Sequence, residues 1–264
     1  MEFRPCIDIH NGKVKQIVGG SLKDQGNRAR ENFVAEQDAA FYAKLYRDAG
    51  LKGGHIILLN PVDSPYYSET RRQALLALSV YPGGLQVGGG ITPENAEEYL
   101  EAGASHVIVT SYVFQEGRIH FDKLNELISA VGKERLVLDM SCKRRGDSYV
   151  VMTDRWQKET DEIVNQRLLD SLSEYCDEFL IHAVDVEGKT EGIERELVEL
   201  LGRFDARPVT YAGGIHTLSD LQAIRSLGRG RVNFTVGSAL DLFGGKLKWE
   251  EILAECRTEN NILL

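Results

Sequence analysis

Short runs of apolar and β-branched residues recur along the chain, and each run is bounded by glycine or by a polar turn. Runs of this length and composition are typical of buried strands. We therefore predict eight strands, which are Cys6 to Ile9, His55 to Leu59, Leu85 to Val87, His106 to Val109, Leu136 to Met140, Phe179 to Ala183, Pro208 to Tyr211 and Val232 to Val236.

The segments between these strands place apolar residues at helical spacing. Helices are predicted at Asp38 to Ala49, Pro93 to Ala102, Asp122 to Val131, Asp161 to Tyr175 and Leu218 to Leu227. Strands that alternate with helices lie parallel, because each helix carries the chain back to the start of the next strand. Two architectures fit this alternation, an open doubly wound sheet and a closed barrel.

An internal repeat favours the closed barrel. The sequence LQVGGGIT at residues 85–92 is echoed by VTYAGGIH at residues 209–216, and Asp8 and Asp139, each at the end of an apolar strand, are 131 positions apart. Two related half-chains predict an α/β fold, a (β/α)8 TIM barrel built from two half-barrels. The 264 residues match the roughly 250 of such a domain, so we expect residues 1–264 to form one barrel domain.

Asp8 and Asp139 are the strongest candidates for catalysis. Alternation in the first strand turns Ile7 and Ile9 toward the helices and Asp8 into the barrel, near the carboxyl ends of the strands, where barrel active sites are built. Strand five lies diametrically opposite strand one. The two carboxylates are therefore expected to face each other across one mouth, an arrangement that suits a general base and a general acid.

Both aspartates also have structural alternatives. Asp8 is placed to cap a turn through Asn11 and Gly12. Asp139 is placed to form a salt bridge with one of three basic residues, which are Lys143, Arg144 and Arg145.

Glycine-rich turns before two of the helices predict phosphate sites, because such turns expose backbone N–H groups beside the positive end of a helix. Hydroxyl and backbone donors at the ends of strands four and eight extend each site, and a short extra helix is expected from Ala239 to Phe243. The predicted phosphate ligands are Gly89, Gly90, Thr110 and Ser111 in one set, and Gly213, Gly214, Gly237 and Ser238 in the other.

Two aromatic side chains each have a structural and a functional interpretation. Trp156 lies in a polar stretch after strand five, where it either fills a gap between a helix and the barrel or stacks on a ligand ring. His182 is interpreted as a core histidine with satisfied hydrogen bonds rather than as a catalyst.

Composition narrows the partners and the compartment. The formal net charge of -9 opposes nonspecific binding to nucleic acids and anionic membranes, so neither is expected. The four cysteines contain no C-x-x-C pair, which fits free thiols in a reducing compartment rather than a disulfide or zinc framework. No apolar run approaches about 18 residues, and Met1 leads almost directly into the first strand. We expect a cytoplasmic protein, or a plastid protein whose transit peptide has been removed.

Several segments, spread over nearly the whole chain, carry a resemblance to a known family. They are CIDIHNGKVKQIVGG (residues 6–20), QVGGGI (86–91), VTS (109–111), FLIHAVDVEG (179–188), VTYAGGI (209–215), TVGSAL (235–240) and ALDLFGG (239–245). Together they resemble the phosphoribosylformimino-aminoimidazole carboxamide ribotide isomerases of histidine biosynthesis, in the version typical of fungi and plants.

The resemblance implies an Amadori rearrangement, in which an aminoaldose ribotide opens its ring, loses a proton from C2 and becomes the aminoketose. It implies a bisphosphorylated ribotide as the substrate, with no metal and no cofactor. Asp8 would then be the base at C2, Asp139 an acid that assists ring opening, and Trp156 a stacking partner for the aminoimidazole carboxamide. We expect a monomer.

One departure from the family pattern concerns strand six. The common bacterial pattern has a threonine at the end of this strand and then an Asp-Gly loop, whereas this sequence continues with Ala183 and Val184 and then Asp185 and Glu187. Water, Asp185 and Glu187 are the three candidates to replace the threonine hydroxyl.

Other functions remain as alternatives. The related glutaminase-dependent cyclase shares the barrel, the glycine turns and the two aspartates, although the first loop ending at Gly20 favours the isomerase. A metal-dependent pentose-phosphate epimerase would need histidine and carboxylate ligands, but strand two ends in Leu58, Leu59 and Asn60. A non-catalytic sensor of phosphorylated metabolites is a third alternative. The isomerase could also accept phosphoribosyl anthranilate.

Overall fold

Eight parallel strands form a ring in the computed structural model, which describes residues 1–18, 21–22, 28–189 and 191–260. Each strand pairs in register with the one that follows it around the ring. The strands are β1 (Cys6–His10), β2 (Gly54–Leu58), β3 (Leu85–Gly88), β4 (Val107–Val109), β5 (Leu136–Asp139), β6 (Glu178–His182), β7 (Val209–Ala212) and β8 (Val232–Phe234).

The ring closes between β8 and the residues that precede β1. Phe3 and Phe234 form a parallel bridge. The backbone N–H of Arg4 donates to the carbonyl oxygen of Phe234 at 2.8 Å, and the N–H of Phe234 donates to the carbonyl oxygen of Glu2 at 3.0 Å. The fold is therefore a closed barrel, as predicted, and not an open doubly wound sheet.

A helix follows every barrel strand along the chain, as a (β/α)8 fold requires. The helices are α1 (Ala39–Asp48), α2 (Tyr67–Val80), α3 (Pro93–Glu101), α4 (Phe121–Val131), α5 (Gln166–Leu172), α6 (Arg195–Leu201), α7 (Leu218–Leu227) and α8 (Trp249–Asn260). The core lies between these helices and the barrel. Ile7 and Ile9 are fully buried in it, and the hydroxyl of Tyr46 on α1 donates to the carbonyl oxygen of Cys6 at 2.9 Å.

The starts of α3 and α7 preserve the repeat seen in the sequence. The N–H of Thr92 donates to Oδ1 of Asn95 at 2.9 Å, and the N–H of Thr217 donates to Oδ2 of Asp220 at 2.9 Å. Both are capping boxes, in which the first turn of a helix is fixed by a side chain three residues on. Equivalent positions in the two half-barrels thus begin their helices in the same way.

A buried polar network around Glu178 fills the amino-terminal end of the barrel interior. Its carboxylate accepts hydrogen bonds from Nε2 of Gln86 at 2.9 Å and from the hydroxyl of Thr210 at 2.6 Å, and it pairs with the guanidinium of Arg4. These contacts satisfy a charge that would otherwise be costly to bury. Inside the barrel, the space for a ligand lies at the opposite end, where the strands end.

Among the residues that the structure describes, antiparallel strands are added to the barrel at three places. They are Lys13–Ile17 with Glu31–Val34, Phe114–Gln115 with Arg118–Ile119, and the three-stranded sheet of Cys142–Arg145, Ser148–Thr153 and Lys158–Ile163.

The three-stranded sheet corrects the predicted helix from Asp161 to Tyr175. In the structure Val150 lies opposite Ile163, so the first residues of the predicted helix are a strand. Helix α5 begins only after Asn165, whose side chain accepts a hydrogen bond from the N–H of Leu168 at 2.9 Å. The local helical spacing was misleading because pairing with a neighbouring strand determines the conformation here.

Two smaller predictions concern the ends of loops. The expected short helix from Ala239 to Phe243 is a single 3-10 turn, Asp241–Phe243. Gly19 and Gly20, at the end of the first family-like segment, lie outside the described residues.

Within the described ranges, none of the helices combines the length and the apolar character needed to cross a bilayer.

Candidate active site

Two adjoining cavities open at the carboxyl-terminal end of the barrel. The large cavity has an empty volume of about 1060 Å³ that extends into open solvent, and the small cavity has one of about 410 Å³. Both are lined by Asp8, His182 and Glu187. The shared side chains therefore form a polar centre between two compartments, which is the arrangement expected for a ligand with two arms.

Asp8 lies in this centre because alternation along β1 sends its neighbours outward. Burial, followed by the nearby charge of Glu187, raises the pKa of Asp8 to about 7, while His182 acts in the opposite direction. A carboxylate with this pKa is well placed to accept a proton near neutral pH. The turn after β1 is held by other groups, since the N–H of Asn11 donates to Asn60 at 2.7 Å and that of Gly12 donates to Thr70 at 3.0 Å.

Asp139 is the last residue of β5 and lines the large cavity. Its Oδ1 atom accepts hydrogen bonds from the N–H of Ser141 at 2.8 Å and from the Ser141 hydroxyl at 2.7 Å. The basic residues considered as its partners contact other groups. Lys143 donates to the carbonyl oxygen of Trp156 at 3.4 Å, and Arg144 and Arg145 pair with glutamates.

His182 does not behave as the satisfied core histidine that the sequence suggested. It is the last residue of β6, its side chain is 10% exposed, and its Nδ1 atom is buried without a hydrogen-bond partner in the described part of the chain. The closest carboxylate is Asp139, whose Oδ1 atom lies 3.8 Å from Nδ1. Strand alternation carries the signal that was missed, because Phe179 and Ile181 face the helices and His182 must then face the interior.

Electrostatics favour a charged imidazole at this position. Burial lowers the pKa of His182, but Asp139, Glu187 and Asp8 outweigh burial, and the net shift is upward. The neighbouring imidazole of His55 has a ring centroid 5.7 Å away, and burial and then the charge of His182 lower its pKa to about 3. The centre therefore holds several carboxylates, one imidazole that favours the charged form and one that stays neutral.

The loop after β6 carries Asp185 and Glu187, the two acidic candidates to replace the threonine hydroxyl, and only one of them lines the cavities. Oδ2 of Asp185 accepts a hydrogen bond from the N–H of Arg144 at 2.7 Å and so belongs to the neighbouring antiparallel sheet. Glu187 lines both cavities, and burial raises its pKa. Glu187 rather than Asp185 thus faces the site, as does His182, which occupies the end of the strand.

The predicted phosphate ligands come together as two separate sets. Gly89, Gly90, Thr110 and Ser111 line the large cavity, whereas Gly213, Gly214, Gly237 and Ser238 line the small one.

The two glycine turns have the same backbone form. The φ angles are +105° and +71° at Gly89 and Gly90, and +118° and +74° at Gly213 and Gly214. A Cβ atom at Gly89 would lie 2.2 Å from the carbonyl oxygen of Leu58, so a larger residue does not fit without a shift of the backbone. Both turns bring backbone close to a cavity immediately before a helix, as phosphate sites do.

Trp156 lies in a tight turn between the strands Ser148–Thr153 and Lys158–Ile163. The φ angles of Asp154, Arg155 and Trp156 are +50°, +55° and +68°, three consecutive left-handed residues that are not glycine. Such strain costs about 1 kcal/mol or more per residue and is concentrated at functional sites. The turn is held in place by the hydrogen bond from the N–H of Asp154 to the hydroxyl of Ser111, at 2.9 Å.

The indole of Trp156 forms part of the wall of the large cavity. It is half-buried, packs against the small apolar cluster of Ile17, Leu22 and Leu59, and has a ring centroid 5.6 Å from that of His182. An aromatic wall next to a polar centre is suited to a ligand that carries a planar ring.

Comparison with known proteins gives consistent matches. The family described as "Histidine biosynthesis protein" matches residues 2–248. A chloroplastic protein of Medicago truncatula, named 1-(5-phosphoribosyl)-5-((5-phosphoribosylamino)methylideneamino) imidazole-4-carboxamide isomerase, is 52% identical over 258 residues, which are 96% of this chain and 81% of that protein. Proteins with the same isomerase name from Neurospora crassa and Yarrowia lipolytica are 48% and 45% identical, covering 92% and 95% of this chain and 93% and 96% of their own lengths.

Proposed function

Because this chain belongs to the histidine biosynthesis protein family, we propose that it is the isomerase that converts the bis-phosphoribosyl aminoaldose N'-(5'-phosphoribosyl)formimino-aminoimidazole carboxamide ribotide into its aminoketose. The relatives named above carry this isomerase name. The observation that carries the proposal is the pair of glycine turns in two cavities on either side of one acid–base centre. A substrate with a phosphate at each end and a reacting carbon between them matches that arrangement.

The large cavity suits the aminoimidazole carboxamide arm of the substrate. Trp156 supplies a face for the heterocycle, and Gly90 and Ser111 supply donors for its phosphate. The small cavity takes the phosphate of the reacting sugar, beside Gly214 and Ser238. The sugar carbons then lie at the shared centre, next to Asp8.

The rearrangement needs a base and an acid at this centre. Asp8, with a pKa near 7, takes the proton from C2 once the ring has opened. Asp139 takes part in general acid catalysis, in which the ring oxygen is protonated as it departs. Since each group acts in the transition state, each contributes to kcat rather than only to substrate binding.

The proposal also covers the cofactor requirement, the oligomeric state and the location of the protein. The substrate is a small anionic molecule, and no metal or cofactor takes part in the steps described. We propose that the barrel is one domain that works as a monomer, in the cytoplasm or, like the Medicago relative whose name says chloroplastic, in a plastid.

The decisive experiment is incubation of the purified protein with the aminoaldose ribotide. Conversion is followed by absorbance and by coupling to the cyclase that consumes the aminoketose. Turnover supports the proposal. Ammonia-dependent consumption of the aminoketose would identify the related cyclase instead, and binding without turnover would identify a non-catalytic sensor. Phosphoribosyl anthranilate, supplied separately, tests for a second substrate.

A further inference from the structure

We propose that His182 is the group that protonates the ring oxygen of the substrate, and that Asp139 acts through it. This inference rests on the isomerase function proposed above and refines the acid side of that reaction. It assigns to Asp139 the role of a positioning residue and to His182 the role of a catalytic one.

His182 lies where the two cavities meet. Its imidazole lines both cavities, so a sugar that spans them must pass beside it. Its side chain is nine-tenths buried, and Nδ1 lacks a hydrogen-bond partner among the described residues. A buried polar atom left unpaired is costly, so Nδ1 gains if the 3.8 Å gap to Oδ1 of Asp139 closes, and Nε2 is then the ring nitrogen left to serve a ligand atom.

Asp139 is held by Ser141 and lies beside His182. Its Oδ1 atom already accepts two hydrogen bonds from Ser141 and lies 3.8 Å from Nδ1 of His182. An oxygen that accepts two hydrogen bonds acts as an acceptor, so Oδ1 is suited to receive a further N–H from the imidazole rather than to give a proton. An anion beside an imidazole stabilises the imidazolium and orients the ring, and the short gap can close when a ligand binds.

The surroundings of His182 on other elements agree with this division of roles. Asp8 on β1, Asp139 on β5 and Glu187 in the loop after β6 all favour its charged form. His55 on β2 is the opposing basic group, and it remains neutral because burial disfavours its charge. Of the two imidazoles, His182 is therefore the one whose charged form is favoured.

In the proposed reaction, His182 and Asp8 each give up or take up one proton and recover their starting state. The imidazolium of His182 gives a proton to the ring oxygen as the C1–O bond breaks, and the lone pair of the substrate nitrogen forms a C=N bond. Asp8 then removes the C2 proton, and the electrons of that C–H bond form C1=C2 while the C=N electrons return to nitrogen. Finally the proton on Asp8 is delivered to C1 and the C2 hydroxyl proton returns to His182, which leaves the ketose and the enzyme in its starting state.

The activity test compares His182→Asn and His182→Gln, whose amides do not titrate. We expect kcat to fall about 100-fold or more with KM changed only a few-fold, because general acid catalysis acts in the transition state. The fall of wild-type kcat at high pH, where the acid loses its proton, should be absent in both variants. His106→Asn is the matched control, because His106 pairs with Asp177 outside both cavities.

The coupling between His182 and Asp139 can be measured without any turnover of substrate. Nitrogen NMR of the labelled imidazoles, with His182→Asn to identify the signal, should show His182 charged at neutral pH and a lower pKa for it in Asp139→Asn. Asp205→Asn, in an exposed ion pair, should leave the signal unchanged.

Several results would overturn this inference. They are kcat within about threefold of wild type in either His182 variant, an unaltered high-pH limb, or a His182 signal indifferent to Asp139→Asn. If the wild-type protein is active and Asp8→Asn is inactive, such results exclude the proposed role of His182 but leave the proposed isomerase function intact. If wild type shows no turnover, the proposed function fails and the catalytic role of His182 fails with it, while the NMR result still decides whether the two side chains are coupled.

Discussion

The backbone N–H of Asp154 donates a hydrogen bond to the hydroxyl oxygen of Ser111 at a distance of 2.9 Å. This bond joins the loop after β4 to the turn that carries Trp156. One serine therefore lies at a predicted phosphate site and also supports the aromatic wall of the same cavity. The position of the indole is thus coupled to the position of the anion site.

Trp156→Ala should impair function far more than stability. The variant loses stacking on the heterocycle, on the order of 1 kcal/mol, and also the apolar area buried against the ligand, so we expect kcat/KM to fall about ten- to hundredfold with little change in Tm. Trp249 is the matched control, because it is almost fully buried against Phe3 and Tyr46. Trp249→Ala should cost about 3–5 kcal/mol of stability. Turnover and thermal unfolding of both variants are measured together, and a large loss of Tm in Trp156→Ala would assign Trp156 to the core.

Asp8→Asn and Asp139→Asn should each lower kcat by two orders of magnitude or more while the protein remains folded. Each variant keeps the shape of the side chain and removes a charge used in proton transfer, directly or through a neighbour. Steady-state kinetics with circular dichroism as the folding check provide the measurement. Asp205→Asn serves as the control for loss of a surface carboxylate. Turnover near that of wild type in either site variant excludes that aspartate from the mechanism.

Stability should fall as pH rises from about 4 to about 7, in part because of Asp8. The pKa of Asp8 is raised from 3.8 to about 7 in the folded protein, so between these values the folded state holds a proton that the unfolded state has lost. The stabilisation is complete below the lower value and is lost through the upper one. Asp8→Asn cannot ionise and should flatten this part of the curve, making the variant more stable than wild type at pH 8. Urea unfolding at several pH values tests this, and parallel curves would contradict it.

Two phosphate ions should bind at the barrel mouth, one near Gly90 and Ser111 and the other near Gly214 and Ser238. Both turns expose backbone before a helix and have matching left-handed φ angles. A crystal soaked in phosphate provides the measurement. Only one occupied site, or ions placed elsewhere, would count against a substrate with two phosphates.

Local sequence patterns predict much of this fold. The eight strands, the repeat and the two aspartates could be predicted because alternation in a strand and φ values that favour glycine depend on neighbours in the chain. The sequence by itself therefore placed Asp8, Asp139 and both glycine turns at strand ends that must meet at one rim once the barrel closes.

Tertiary structure decided which further side chains share that rim. His182 comes within 3.8 Å of Asp139 because β5 and β6 pair side by side, and the loop after β6 then turns Glu187 rather than Asp185 toward the cavities. The strand Lys158–Ile163 likewise exists because it pairs with Ser148–Thr153, overriding its helical spacing. Contacts of this kind depend on the packing of the whole chain. Alternation along β6 indicates that His182 faces the interior, but it does not indicate which residue lies next to it.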